Sequence, residues 1–154
     1  MNKIKIFLST PISAFRDEEK YVEYRHLLLS FIQVLREKYE VYSEIEQIRG
    51  LSCYDEPGKS AVDDFRRILE ADVFMLHHPI RMQTSALIEL GYAIAKEKKI
   101  IIIANPKELP YLALGLSASL FTVKIVPSSE LSKETIDEVL LFLNQCNCQN
   151  SEHR

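Results

Sequence analysis

Apolar residues in this chain follow two patterns that alternate along its length. Short continuous runs occur at residues 4–9, 41–43, 71–76, 100–104 and 121–126, and each has the length of a strand. Between them, apolar positions recur every three or four residues. In segment 17–39, Tyr21, Tyr24, Leu28, Phe31, Ile32 and Leu35 share one helical face. Segments 60–70, 84–98, 109–120 and 132–145 also read as helices. Ser60 with Asp63 three residues on predicts an N-cap at the second of these helices, and Ser132 predicts one at the last. Lys96, Lys98 and Lys99 gather where the helix dipole favours cations, at the C-terminal end of segment 84–98.

This alternation predicts an α/β fold. Right-handed crossovers between parallel strands give a three-layer α/β/α sandwich. Its five-stranded, mostly parallel sheet would be doubly wound in the flavodoxin or Rossmann manner. The run Ile100-Ile101-Ile102-Ile103 predicts a strand covered on both faces. A single domain is expected over residues 1–146, with a polar tail at 147–154. Segment 45–59 is the longest irregular stretch, and loops of that length often carry function.

Composition narrows the classes. A formal net charge of −3 argues against a nucleic-acid polymer as partner, which would call for a basic surface. No apolar run approaches the roughly 20 residues of a membrane span, so no membrane partner is expected. The N-terminus enters a strand pattern directly, which predicts no signal peptide. Cys53, Cys146 and Cys148 are odd in number and lack framework spacing, which predicts a reducing, cytoplasmic location. Cys146 and Cys148 read as incidental thiols, and no metal site is expected because no other ligand pair supports one.

Several α/β chemistries lose support because their motifs are missing. There is no G-x-G-x-x-G after the first strand, no Walker loop and no G-x-S-x-G elbow. What remains is polar chemistry at the C-terminal ends of strands, where open α/β sheets bind ligands. The first strand ends in Ser9-Thr10-Pro11-Ile12-Ser13, a turn whose hydroxyls and N–H groups suit a sugar or phosphate. Glu44 follows the second strand and is placed to meet a ribose hydroxyl. His77 and His78 end the third strand. Neighbours on a strand point to opposite faces, so at most one reaches a site, and His77 is the candidate. Beyond them Glu89 lies in the first turns of a helix. Ser85 and Ala86 leave room for a ligand there, and Tyr92 adds an amphipathic ring. Gly91 inside that helix costs about 1 kcal/mol against alanine, and close packing on the sheet would account for it.

Thr84-Ser85-Ala86-Leu87-Ile88-Glu89-Leu90-Gly91-Tyr92-Ala93 resembles the small-small-x-x-Glu-x-Gly-Tyr-Ala signature of the nucleoside 2-deoxyribosyltransferase superfamily. Lys5-Ile6-Phe7-Leu8-Ser9-Thr10-Pro11-Ile12 is similar to that family's first strand and substrate loop. The stretch from Asp63-Asp64-Phe65 to Ala71-Asp72-Val73 resembles its acid-headed helix and third strand, and Lys98-Lys99-Ile100-Ile101-Ile102 its next strand. The likeness covers roughly residues 3–105.

The resemblance implies cleavage or transfer at an N-glycosidic bond, with Glu89 as nucleophile on the anomeric carbon and Asp64 as second carboxylate. Ser9, Thr10, Pro11, Ile12, Ser13, Glu44, His77, Gln83, Ser85 and Tyr92 would bind substrate. No cofactor is implied, and a homodimer or larger homo-oligomer is. Where the transferases carry an aspartate, about six residues before the glutamate, this chain has Gln83. An amide can orient a base or sugar but cannot act as a carboxylate acid, which favours cleavage over transfer. The ligand would be a small-molecule nucleoside, nucleotide or NAD. Two rivals stay open: a Toll/interleukin-receptor-like NAD glycohydrolase or cyclase, and a non-catalytic nucleotide-sensing module.

Overall fold

A computed structural model describes residues 3–151, with side chains through residue 146. Five strands form one sheet: β1 (Lys5–Ser9), β2 (Glu40–Tyr42), β3 (Val73–His77), β4 (Lys99–Ile103) and β5 (Val123–Val126). Their spatial order is β2-β1-β3-β4-β5, and every pairing is parallel. The expected sandwich is therefore present, and its sheet is wholly rather than mostly parallel. The chain runs outward from β1 to β2, then returns to lay β3 on the other side of β1. That reversal opens a crevice beyond the C-terminal ends of β1 and β3.

Strand parity sorts the side chains into two cores. Ile6, Leu8, Met75, Ile101 and Ile103 face α1 (Glu18–Arg36) and α5 (Lys133–Ser151). Phe7, Phe74, Leu76, Ile100 and Ile102 face α2 (Pro57–Glu70), α3 (Ala86–Ala95) and α4 (Tyr111–Ser119). Each large apolar side chain fully buried this way contributes about 1.5–3 kcal/mol. All five positions of β3 are buried, as befits the middle strand. β4 lies between β3 and β5, so the isoleucine run is interior as its composition predicts.

Several boundaries move. Ser60 is not the cap of α2. The helix begins three residues earlier at Pro57, and Glu56 accepts bonds from the N–H groups of Gly58 and Lys59 at 3.0 and 2.9 Å. A carboxylate followed by proline is an equally good helix start, because proline lacks the N–H that would need a partner. The last helix does not stop at Gln145; its backbone continues to Ser151, so the predicted tail is helical over 147–151, and residues 152–154 lie outside the described residues. Ser132 does cap α5, accepting from the Thr135 N–H. Gly91 is exposed, with open space where a Cβ would stand, so close packing does not account for it. No helix among the described residues is long and apolar enough to cross a membrane.

Candidate active site

Ser9 is the last residue of β1 and shares its face with Phe7, toward α3. Its hydroxyl donates to Glu89 Oε2 at 2.5 Å. Glu89 stands in the first turn of α3, directly past the crevice. Ser43 ends the extended segment after β2, and its hydroxyl donates to the Leu8 carbonyl at 2.7 Å. That bond ties the end of β2 to β1 and delivers Glu44 to the same crevice. Asp64 projects from the inner face of α2 and is only 6% exposed.

Glu44, Asp64 and Glu89 line one cavity of about 310 Å³, within the range of small-molecule sites. Thr10, Ser13, Ser60 and Ser85 add hydroxyls, and Ser13 and Ser85 face each other at 3.5 Å. Ile12, Pro57, Phe65 and Ile88 supply apolar wall, and Tyr54 closes one side while donating to the Ile12 carbonyl. The Thr10 hydroxyl is buried without a partner. A buried orphan of this kind at the edge of a cavity is a ready contact for a ligand hydroxyl.

Burial dominates the titration of all three carboxylates. It raises Glu89 to about 7; the Ser9 hydrogen bond pulls the other way and the charge of Glu44 adds to the rise. Asp64 also rises to about 7, through burial first and then repulsion from Glu44 and Glu89. Glu44 is raised by burial and by Asp55. Like charges confined together cannot all ionise, so near neutrality the cluster retains protons. Ser9 donates to Glu89, which favours its anionic form. Near pH 7 the cavity therefore holds a carboxylate beside a carboxylic acid.

The sequence candidates divide. Thr10, Ile12, Ser13, Glu44, Asp64, Ser85 and Glu89 come together around the cavity. Ser9 stands behind Glu89, and Pro11 shapes the turn through its carbonyl, which accepts from the Ala14 N–H. Three candidates lie elsewhere. His77 points to the α1/α5 face, because odd positions of β3 do; Tyr24 Oη meets its Nδ1 at 2.7 Å and the Ser129 carbonyl its Nε2 at 3.2 Å. A carbonyl only accepts, so Nε2 carries the proton and the tyrosine donates to Nδ1. Gln83 opens instead onto a neighbouring cavity with Arg81 and Leu114. Tyr92 stacks on Phe65 at 4.4 Å between ring centroids and steadies that wall from behind. Asp63 pairs with Arg66 at 3.1 Å on the outer side of α2.

Tyr54, Asp55, Pro57, Phe65 and Ile88 line the cavity without a sequence signal that marks each as a site residue, and Ser60, expected as a helix cap, lines it too. The length of segment 45–59 was the available signal for the first three. Ile88 is 66% exposed and lines the cavity mouth. Among the described residues no group of three or more His, Cys, Asp or Glu side chains is arranged to hold a metal ion.

No protein-family model matches the chain, and no curated protein matches it. Among solved structures it is similar to the CMP N-glycosidase BcmB of Clostridium botulinum, with a TM-score of 0.65 and 24% identity. The match covers 89% of this chain and 98% of that one. The two share the fold, over essentially the whole of the smaller partner's architecture.

Proposed function

We propose that this chain is an N-glycosidase of the nucleoside 2-deoxyribosyltransferase superfamily, breaking the bond between base and sugar in a nucleoside or nucleotide. The observation that carries this reading is the pairing of Glu89, held by Ser9, with the buried Asp64 in one cavity, both titrating near 7. Similarity to a CMP N-glycosidase in fold, and the motifs around Glu89 and Asp64, support it.

In this mechanism Glu89 attacks C1′ as the bond from C1′ to the base nitrogen breaks. The electron pair leaves with the base, which takes a proton from Asp64. The transition state resembles an oxocarbenium ion, and the carboxylate beneath C1′ stabilises its positive charge. Water then attacks C1′, gives its proton to the Asp64 carboxylate and displaces Glu89. Free base and free sugar result, and both carboxyl groups return to their first state. Thr10, Ser13 and Ser85 provide neutral partners for sugar hydroxyls. Phe65 and Ile88 provide apolar surface for the base. Water is the acceptor in this scheme because Gln83 stands at the sequence position where the transferases carry an aspartate.

Intact-mass measurement after exposure to a panel of nucleosides, nucleotides and NAD tests the proposal. A sugar adduct on the wild type, missing in Glu89→Gln, together with released base, is the expected result. Base exchange in the presence of a second free base would make the protein a transferase. Nicotinamide release from NAD alone would move the assignment to an NAD glycohydrolase. No base release from any of them would leave a binding module.

A further inference from the structure

We propose that Ser43 is a positioning residue for the nucleophile: by holding the Leu8 carbonyl it fixes the end of β1, so that the Ser9 hydroxyl meets the Glu89 carboxylate. This rests on the reading of Glu89 as nucleophile. It goes beyond that reading by assigning the geometry of Glu89 to a buried side chain that does not line the cavity.

The sheet register shows what Ser43 replaces. β1 pairs with β2 only as far as Phe7 and Tyr42, whereas its pairing with β3 continues to Ser9 and Leu76. Leu8 and Ser9 therefore have ladder support on the β3 side alone. Carbonyls of β1 alternate in direction: that of Ile4 accepts from the Glu40 N–H on the β2 side, and that of Lys5 from the Asp72 N–H on the β3 side. By this parity the Leu8 carbonyl faces β2, and a continued ladder would give it the Glu44 N–H. The Ser43 hydroxyl takes that place at 2.7 Å. Glu44 is thereby released from the sheet to open the 3₁₀ turn Glu44–Glu46, with its carboxylate at the cavity.

The peptide that carries the Leu8 carbonyl leads directly into Ser9, whose hydroxyl donates to Glu89 Oε2 at 2.5 Å. Bonds to a carboxylate weaken steeply with distance and angle, so a small shift of Ser9 is felt at Glu89. Both serines are buried, at 1% and 2% exposure, and the loss of either donor leaves an acceptor that solvent does not reach. The Ser9 bond lowers the pKa of Glu89 against the rise that burial imposes. Loosening Ser9 therefore makes Glu89 harder to ionise. Ser43 also adjoins Glu44, whose charge raises both Glu89 and Asp64. Displacing Glu44 would ease the ionisation of Glu89, the opposite sign. The direction of the shift separates the two routes.

The test is a double-mutant cycle of Ser43→Ala and Ser9→Ala, read on the acid limb of the kcat/KM profile for base release. In the wild-type background Ser43→Ala should move that limb upward by about half a unit, in the same direction as Ser9→Ala, and lower kcat/KM at pH 5 about threefold. In the Ser9→Ala background the same substitution should leave the limb in place. Urea titration should show a similar loss of stability from Ser43→Ala in both backgrounds, which separates the effect on the fold from the effect on Glu89. Should Ser43→Ala not fold, Ser43→Cys, which keeps a weak donor, takes its place in the cycle with a smaller upward shift.

A limb that stays in place or moves down in the wild-type background overturns the proposal, and so does an upward shift of equal size in both backgrounds. If no compound is cleaved, the glycosidase reading fails, and the same cycle is read on the Glu89 carboxyl by carbon-13 NMR of glutamate-labelled protein, its signal identified by its loss in Glu89→Gln. An upward shift of that signal that depends on Ser9 supports the role of Ser43, and any other outcome overturns it.

Discussion

On the α1/α5 face of the sheet edge, His77 has both ring nitrogens bonded, to Tyr24 and to the Ser129 carbonyl, and stacks on the Tyr24 ring. On the α2/α3 face a few ångströms of sheet away, Glu44, Asp64 and Glu89 share a cavity with one hydroxyl bond from Ser9 among them. Both faces place ionisable groups at the C-terminal ends of β1 and β3. One supplies every partner from within the chain and is structural. The other leaves charge uncompensated, which costs folding stability and is retained where a ligand or reaction uses it. The completeness of the partners, rather than the residue type, separates the two.

Removing the central carboxylate gives the largest expected effect. Glu89→Gln should lower base release by roughly 10³-fold or more while leaving the fold intact, measured by kcat and by circular dichroism. Asp64→Asn should cost about 10²-fold in kcat and flatten the alkaline limb of the pH profile, since its proton no longer has to be present. The wild type should show a bell-shaped kcat/KM profile with both limbs near 7, reflecting the coupled pair.

Stability against pH should run in opposite directions on the two faces. Asp64 and Glu89 have folded pKa values above their ordinary 3.8 and 4.5, so the folded state binds their protons more tightly. Their contribution is full below pH 4 or so and is lost as pH rises through about 7. At pH 8, Asp64→Asn should therefore stabilise the protein by about 1–3 kcal/mol in urea titrations. Burial lowers His77 from 6.5 to about 4. Its contribution is full above about pH 6.5 and is lost as pH falls toward 4. Tyr24→Phe, which leaves His77 Nδ1 unpaired, should destabilise by about 1–3 kcal/mol at neutral pH without changing kcat. If kcat fell with stability unchanged, the two faces would not be separable.

The smallest effect should come from Ser9→Ala. Without its donor, the Glu89 carboxylate is harder to ionise, so the acid limb of the pH profile should move upward by about one unit. An unmoved limb would show that Ser9 does not tune the nucleophile.

Glu89, Glu44 and the turn from Thr10 to Ser13 could be read from the chain because strand ends and helix starts leave strong local marks, whereas Asp64, in the middle of α2, came only from the family resemblance. Tyr54 and Asp55 could not, since an irregular segment has no period that says which side chains turn inward. Ser60 carried a misleading mark: a serine before a helical pattern signals a cap, and the Glu56-Pro57 pair outcompeted it. His77 and His78 were legible as a pair facing opposite ways. Which one faced which layer depended on the parity of β3 within the sheet.

The amino-acid sequence by itself determined the alternation of strands and helices, the parallel sheet and the carboxylates at its functional edge. These follow from periodicity, burial and capping, all of which act over a few residues. Only the tertiary structure decided that Ser9 holds Glu89 across 80 residues of chain, that His77 is consumed by Tyr24, and that Gln83 opens onto another cavity. Those outcomes depend on strand order and on the rotation of each helix against the sheet. Long-range packing settles both, and no local pattern encodes either.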